Sequence, residues 1–183
     1  MKTLSFRQAT PSDAGAIASV HTENWREAYR GILPDAYLKG PVVSDRLNLW
    51  RARFASPGAD RHFVLLAESE MELAGFVCLL LDEEPQWGAC LDNLHVLPCW
   101  RGKGIGRALF GRAARWVVSV EPGWGMHLWV LEANLDARRF YEALGGELVE
   151  RRPKEVVAGI IVPSVRYAWH DLAELENIGG AIR

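Results

Sequence analysis

The chain has 183 residues, 49% of them hydrophobic, and a formal net charge of −2. That length and apolar content fit one domain, residues 1–183, with a real core. The charge gives no reason to expect nucleic acid or an anionic membrane as the main partner.

Residues 4–8 alternate apolar and polar, which predicts a first strand. Thr10-Pro11-Ser12-Asp13 reads as a helix start: Thr10 can cap, Pro11 suits the first helical position, and Asp13 completes a capping box. Ala14, Ile17, His21, Trp25 and Ala28 then recur at helical spacing until Gly31 and Pro34. A helical region over 35–54 is interrupted at Gly40-Pro41. Apolar runs at 63–67 and 73–81 predict neighbouring strands around a turn at Glu68-Ser69-Glu70, and a fourth strand covers 88–97. Ile105, Leu109, Ala113, Trp116, Val117 and Val120 give a helix with one apolar face, closed by Pro122-Gly123. A strand over 126–131 follows, then a helix capped by Asn134 with Ala137, Phe140, Tyr141 and Leu144 inward and Gly145 at its end. Residues 147–151 and 165–169 complete the set as two last strands.

Three cysteines, Cys78, Cys90 and Cys99, form no C-x-x-C pair, so free thiols in a reducing cytoplasm are expected, with neither a disulfide frame nor a zinc site. No metal is expected. Met1–Arg7 holds no long apolar run, and neither a signal peptide nor a membrane span is predicted.

The junction between the fourth strand and the following helix carries the most chemistry. Gly102, Gly104 and Gly106 let the backbone bend tightly and approach a ligand without Cβ obstruction. The helix start offers free N–H groups and a positive dipole end, and Arg101, Lys103 and Arg107 add charge. Arg112 and Arg115 fall on a solvated face. Neither the P-loop spacing G-x-x-x-x-G-K-S/T nor the dinucleotide spacing G-x-G-x-x-G fits. What fits is R-x-x-G-x-G, from Arg101 through Gly104 to Gly106. A second block, Asn134-x-x-Ala137-x-x-Phe140-Tyr141-x-x-x-Gly145, follows in order.

Together the two blocks resemble the GNAT acyltransferases (Gcn5-related N-acetyltransferases), small bacterial type. The order of elements, β-α-α-β-β-β-α-β-α-β-β, is similar to that family along nearly the whole chain. The run from Val20 to Pro34 resembles a subset of the family and makes Trp25 and Tyr29 candidates for the substrate side, with core aromatics as the alternative. The resemblance implies an α/β fold: a mixed, mostly antiparallel sheet of about seven strands, flanked by helices and splayed between strands 4 and 5. It implies acetyl-CoA as co-substrate and transfer to a primary amine of a small molecule or peptide.

The resemblance also assigns roles. The pantetheine arm would pair with the backbone of Leu94, His95 and Val96, the Leu94 N–H serving the thioester oxygen. The pyrophosphate would take N–H bonds along Arg101, Gly102, Lys103, Gly104, Ile105, Gly106 and Arg107. Asn134 would hold the cofactor arm or cap its helix. Tyr141 would protonate the leaving thiolate. Where many relatives carry a Glu base, this chain has Cys90, a poor substitute; Asp92 is the nearest carboxylate on that side if the strand is regular. Glu23 and Glu27 are alternatives, as is a water relay; His95 has a pKa suited to a base, although a lone His in a strand is more often a packed or exposed residue. Gly146 replaces an aromatic usual in relatives and either opens the acceptor side or reflects local packing. Two other readings stand beside the enzyme: a non-catalytic acyl-CoA-binding module, and an interaction protein or homodimer presenting some of eight tryptophans, such as Trp50, Trp87, Trp100 and Trp124.

Overall fold

A computed structural model describes residues 4–56, 58, 61–70, 72–157 and 159–175. Seven strands form one sheet: β1 (Ser5–Gln8), β2 (His62–Glu68), β3 (Leu73–Leu80), β4 (Ala89–Val96), β5 (Met126–Leu131), β6 (Glu147–Val157) and β7 (Ile160–Trp169). Their order across the sheet is β1-β2-β3-β4-β5-β7-β6. Every neighbouring pair is antiparallel except β4 and β5, which are parallel.

Helices cover both faces. Helices α1 (Ala14–Ala28), α2 (Asp35–Lys39) and α3 (Val42–Ala55) lie on one, and the break between α2 and α3 falls at Gly40-Pro41 as the sequence predicts. Helices α4 (Ile105–Val120) and α5 (Leu135–Glu142) lie on the other. Strand alternation sets this division. Phe76 turns toward Trp50 of α3 and His21 of α1. Phe63 turns the opposite way and stacks on Trp116 of α4 at 4.5 Å between ring centroids. A second small core joins Trp25, Leu33, Leu38 and Val42 to Val156, Val157 and Ile160, so the far end of the β6–β7 hairpin leans on α1 and α2.

That hairpin is longer than the sequence predicts. Pro153 and Pro163, with the charged run Arg151–Glu155, conceal it. The two prolines sit opposite each other. β6 is the sheet edge, where a missing N–H costs no ladder bond.

The four tryptophans named above differ in burial, Trp87 and Trp124 being half-buried. Trp50 and Trp100 are core residues, at 0% and 5% exposure. Trp87 stacks with the Arg166 guanidinium at 4.6 Å. All three cysteines are free thiols, Cys78 and Cys90 buried and Cys99 exposed.

Beneath β4 lies a pair of histidines. Trp50 Nε1 donates to His21 Nδ1 at 3.0 Å, and the His21 ring lies 4.8 Å from that of His95. Burial lowers both from the ordinary 6.5, His95 to about 4, and neighbouring arginines add to the effect. Both are therefore neutral in the fold, while the unfolded chain takes up protons below 6.5. The stability they allow is complete above that value and is lost as the pH falls toward 4. Urea midpoints should therefore drop from about pH 7 to about pH 5, and His95→Gln should flatten part of that slope.

Candidate active site

The cleft begins with one surplus residue. Cys78 pairs with Asn93 but Leu79 with Leu91, which leaves Asp92 as a bulge in β4. A bulge bends its strand and increases its twist. β4 stays with β5 only at Ala89↔Met126 and Cys90↔His127, and beyond them the two strands diverge. The backbone facing that gap follows from the ladder. The Leu97 N–H donates to Ala74 O at 2.9 Å, so it faces β3. Alternation then turns Leu94 and Val96 toward the gap and His95 toward β3. The backbone of His95 is used by the ladder with Phe76 and does not face the gap.

At the end of β4 a short turn leads into α4. Gly102 and Gly104 have φ of 74° and 80°, and a Cβ built on either meets nothing within 4 Å. The loop is thus an open cradle at a helix N-terminus, fit for a pyrophosphate. Its cations divide unevenly. Lys103 folds back onto Cys99 O at 2.9 Å and over the Trp100 ring. Among the described residues Arg107 is exposed and has no side-chain partner.

Arg101 is bound inward. It donates to Glu27 at 2.5 and 2.8 Å, to Asn24 Oδ1 at 2.8 Å and to Val96 O at 3.1 Å. Its side chain ties the loop to α1, leaving only its backbone for a phosphate. The same contact occupies Glu27 and holds its carboxyl below the usual range, chiefly through the Arg101 hydrogen bonds. Glu27 is therefore a poor base, and Glu23 is exposed on the solvent side. Arg101→Met should raise the KM for acetyl-CoA about fivefold with kcat nearly unchanged, since an exposed pair contributes about 1 kcal/mol at most. Glu27→Gln should give a smaller effect, because Asn24 and Val96 O keep part of the tie. Steady-state kinetics checks both.

On the opposite face of the gap lies a pocket of about 200 Å³ lined by Arg53, Leu80, Glu83, Glu84, Cys90, Leu91, Asp92, Trp129 and Lys154. Cys90 and Asp92 share it, and the change of parity at the bulge falls between Asp92 and Asn93. Arg53 Nη1 lies 2.9 Å from Asp92 Oδ2 and also reaches Asn93 Oδ1 at 3.3 Å. Burial pushes the Cys90 thiol well above its ordinary value, so it stays neutral. Trp25 is mostly core, at 9% exposure, and its ring lies 4.5 Å from that of Tyr29, tilted by 40°. Burial raises the Tyr29 phenol to about 12.

Sequence reasoning missed the far wall. Glu84 has a left-handed backbone, φ 53°, a strained conformation for a residue with a side chain. Arg166 at 2.8 Å, Arg152 at 3.1 Å and Trp129 Nε1 at 3.2 Å hold its carboxylate. Burial opposes ionisation of Glu84, but these bonds and charges prevail and hold its carboxyl at about 2. Arg166 itself is 1% exposed. No local motif announces such a cluster; the one signal is charge in strands, at Arg152, Lys154 and Arg166.

On the α4–α5 side, Asn134 Oδ1 accepts from Ala137 N–H at 3.1 Å, so the residue caps its helix. Tyr141 is 8% exposed, among Phe140, Tyr167 and Trp169. Among the described residues its hydroxyl takes no hydrogen-bond partner. Burial raises its pKa, so the phenol is protonated at neutral pH. Gly146 is explained by packing. A Cβ there would lie 2.7 Å from Trp169 Cζ2, and the Trp169 indole donates to Leu144 O at 2.9 Å. The aromatic bulk comes from β7 instead.

Known proteins share this fold. A family model described as the acetyltransferase (GNAT) family matches residues 21–146. The chain is 27% identical over 179 residues to an uncharacterized N-acetyltransferase, YuaI, of Bacillus subtilis, covering 96% of this chain and 98% of that one. Its fold is similar to the PaiA N-acetyltransferase of Thermoplasma acidophilum solved in complex with coenzyme A, with TM-score 0.71 and 19% identity over 91% of this chain and 99% of that one. It is also similar to yncA of Salmonella typhimurium, solved with acetyl-CoA, with TM-score 0.65 and 18% identity over 92% and 94% of the two chains. With its matched model, its splayed sheet and its R-x-x-G-x-G loop, the chain belongs to the acetyltransferase (GNAT) family.

Proposed function

We propose that the chain moves the acetyl group of acetyl-CoA to the primary amine of a small molecule or peptide by direct attack, with Leu94, Tyr141 and Asp92 as the acting groups. The observation that carries this is the gap itself. The backbone of Leu94 and Val96 faces it, the glycine cradle opens at one end, and a charged pocket opens on the other face. These residues fit acetyl-CoA, which supplies an activated acyl thioester.

In this reading the N–H groups of the loop from Arg101 to Arg107, with the free Arg107 side chain, hold the pyrophosphate. The backbone of Leu94 and Val96 pairs with the amide arm as an added strand would. The Leu94 N–H donates to the carbonyl oxygen as negative charge develops there, a fixed donor that needs no reorganisation. Asp92, kept in place by Arg53, receives the amine at the pocket floor and takes its proton toward water. Tyr141 gives its proton to the departing sulfur. Trp25 and Tyr29 wall the acceptor side.

Among the described residues no group of three or more His, Cys, Asp and Glu gathers as a metal site, and no helix is long and apolar enough to cross a membrane. The free thiols support a cytoplasmic location.

Release of free thiol from acetyl-CoA in the presence of an amine panel tests the reaction. Amine-dependent release is expected. Tight acetyl-CoA binding with no release from any amine would make the chain a binding module instead.

A further inference from the structure

Side chains of consecutive residues in a regular strand point to opposite faces of the sheet. Asp92 and Asn93 break that rule. One nitrogen of α3, Arg53 Nη1, lies 2.9 Å from Asp92 Oδ2 and donates to Asn93 Oδ1 at 3.3 Å. It also reaches the Sγ of Cys78, the partner of Asn93 across the ladder, at 3.5 Å. The bulge is what allows two neighbours to meet the same group. Arg53 thus forms a bracket over the point where the register changes, with a side chain only 12% exposed.

The bracket is supported from behind. The Arg53 guanidinium lies over the Trp50 ring at 4.9 Å, and Trp50 is fully buried. The Trp50 indole donates to His21, whose ring lies against that of His95. Asn93 and His95, the residues on either side of Leu94, are therefore both held from the layer of α1 and α3. Leu94 itself turns its N–H into the gap, where β5 gives it no ladder partner among the described residues. Such a donor serves a developing oxyanion best when its direction is fixed before the reaction. That N–H belongs to the peptide between Asn93 and Leu94, and Arg53 holds the residue with which this peptide begins.

We propose that Arg53 is a positioning residue for acetyl transfer: by gripping Asp92 and Asn93 together it fixes the bulge and, through Asn93, the aim of the Leu94 N–H at the thioester oxygen. Its role then exceeds that of a counter-ion for Asp92. The effect on rate rests on the acetyl-transfer reading, but the aim of the N–H is read without turnover.

The test has a binding arm and a turnover arm. The whole chain, isotopically labelled for amide NMR, is titrated with acetyl-CoA and with coenzyme A, which lacks the acyl oxygen. In the parent the Leu94 amide proton should shift with acetyl-CoA and not with coenzyme A. In Arg53→Gln and in Asn93→Ala that acyl-dependent shift should largely disappear. Thiol release with the best amine of a panel should show kcat lowered by about 10–100-fold in both, the scale of a misaimed donor. Calorimetric affinity for acetyl-CoA should stay nearly unchanged, which also shows that the variants fold. Arg53→Lys should restore part of the rate, and the double variant should be no slower than Arg53→Gln alone, because both changes break one contact. Loss of the shift in the variants, with no thiol release from any amine even in the parent, would support the Arg53 role and overturn the transferase reading. Thiol release with a Leu94 shift that survives in both variants would overturn the Arg53 proposal and leave the transferase reading intact. Asn93→Ala matching the parent in shift and rate, or a parent with no acyl-dependent shift at Leu94, would overturn the proposal as well.

Discussion

Tyr141→Phe should cut the rate of acetyl transfer by about 10²–10⁴-fold, the range for a positioned acid or base, and leave acetyl-CoA affinity almost unchanged. The substitution deletes one oxygen. The ring, with its contacts to Phe140, Tyr167 and Trp169, remains. Stability should hardly move, since the hydroxyl has no hydrogen-bond partner to lose among the described residues. Burial keeps the phenol protonated at neutral pH, which a donor to sulfur requires. The measurement must be made where chemistry limits turnover. A rate within a few-fold of the parent would make Tyr141 a packing residue and assign the proton to water.

Gly104→Val should weaken acetyl-CoA binding by about a hundredfold or more in a protein that still folds. The residue is the N-cap of α4 with φ 80°, and a left-handed backbone costs a side chain about 1–2 kcal/mol. Nothing in the protein stands within 4 Å of the added Cβ, so no clash unfolds the loop. The branched side chain instead projects into the cradle, or the loop relaxes and swings its N–H groups away from the pyrophosphate. Gly104→Ala should lie between the parent and the valine variant. Calorimetry, with circular dichroism to verify the fold, decides it. Unchanged affinity in a folded variant would remove the loop from the cofactor site.

The features legible in the sequence are those whose chemistry is local. The glycine spacing from Gly102 to Gly106, the cap at Asn134 and the break at Gly40-Pro41 each state their geometry within a few residues. What the sequence hid depends on contacts distant in the chain. Arg101 looks like a phosphate ligand until Glu27, 74 positions away, is seen to hold it. Gly146 looks like a vacancy until Trp169 fills it. Glu84 carries no motif, and its importance comes from Arg166, 82 positions away. A run of three residues conceals which way each amide points, and His95 is the one of the three that turns to β3. The full length of the β6–β7 hairpin is masked in the sequence by two prolines and a charged run that an edge tolerates.

The extra residue in β4 has a wider implication. Removing Asp92 would bring Leu91 and Asn93 into continuous register with Leu79 and Cys78. The sheet would gain a regular ladder, and β4 could remain alongside β5 for more of its length. A one-residue deletion would thus make the protein a tidier fold with nowhere to thread a thioester. Sheet regularity and the opening are mutually exclusive outcomes of a length difference of one amino acid, and the surplus residue is the carboxylate that Arg53 holds.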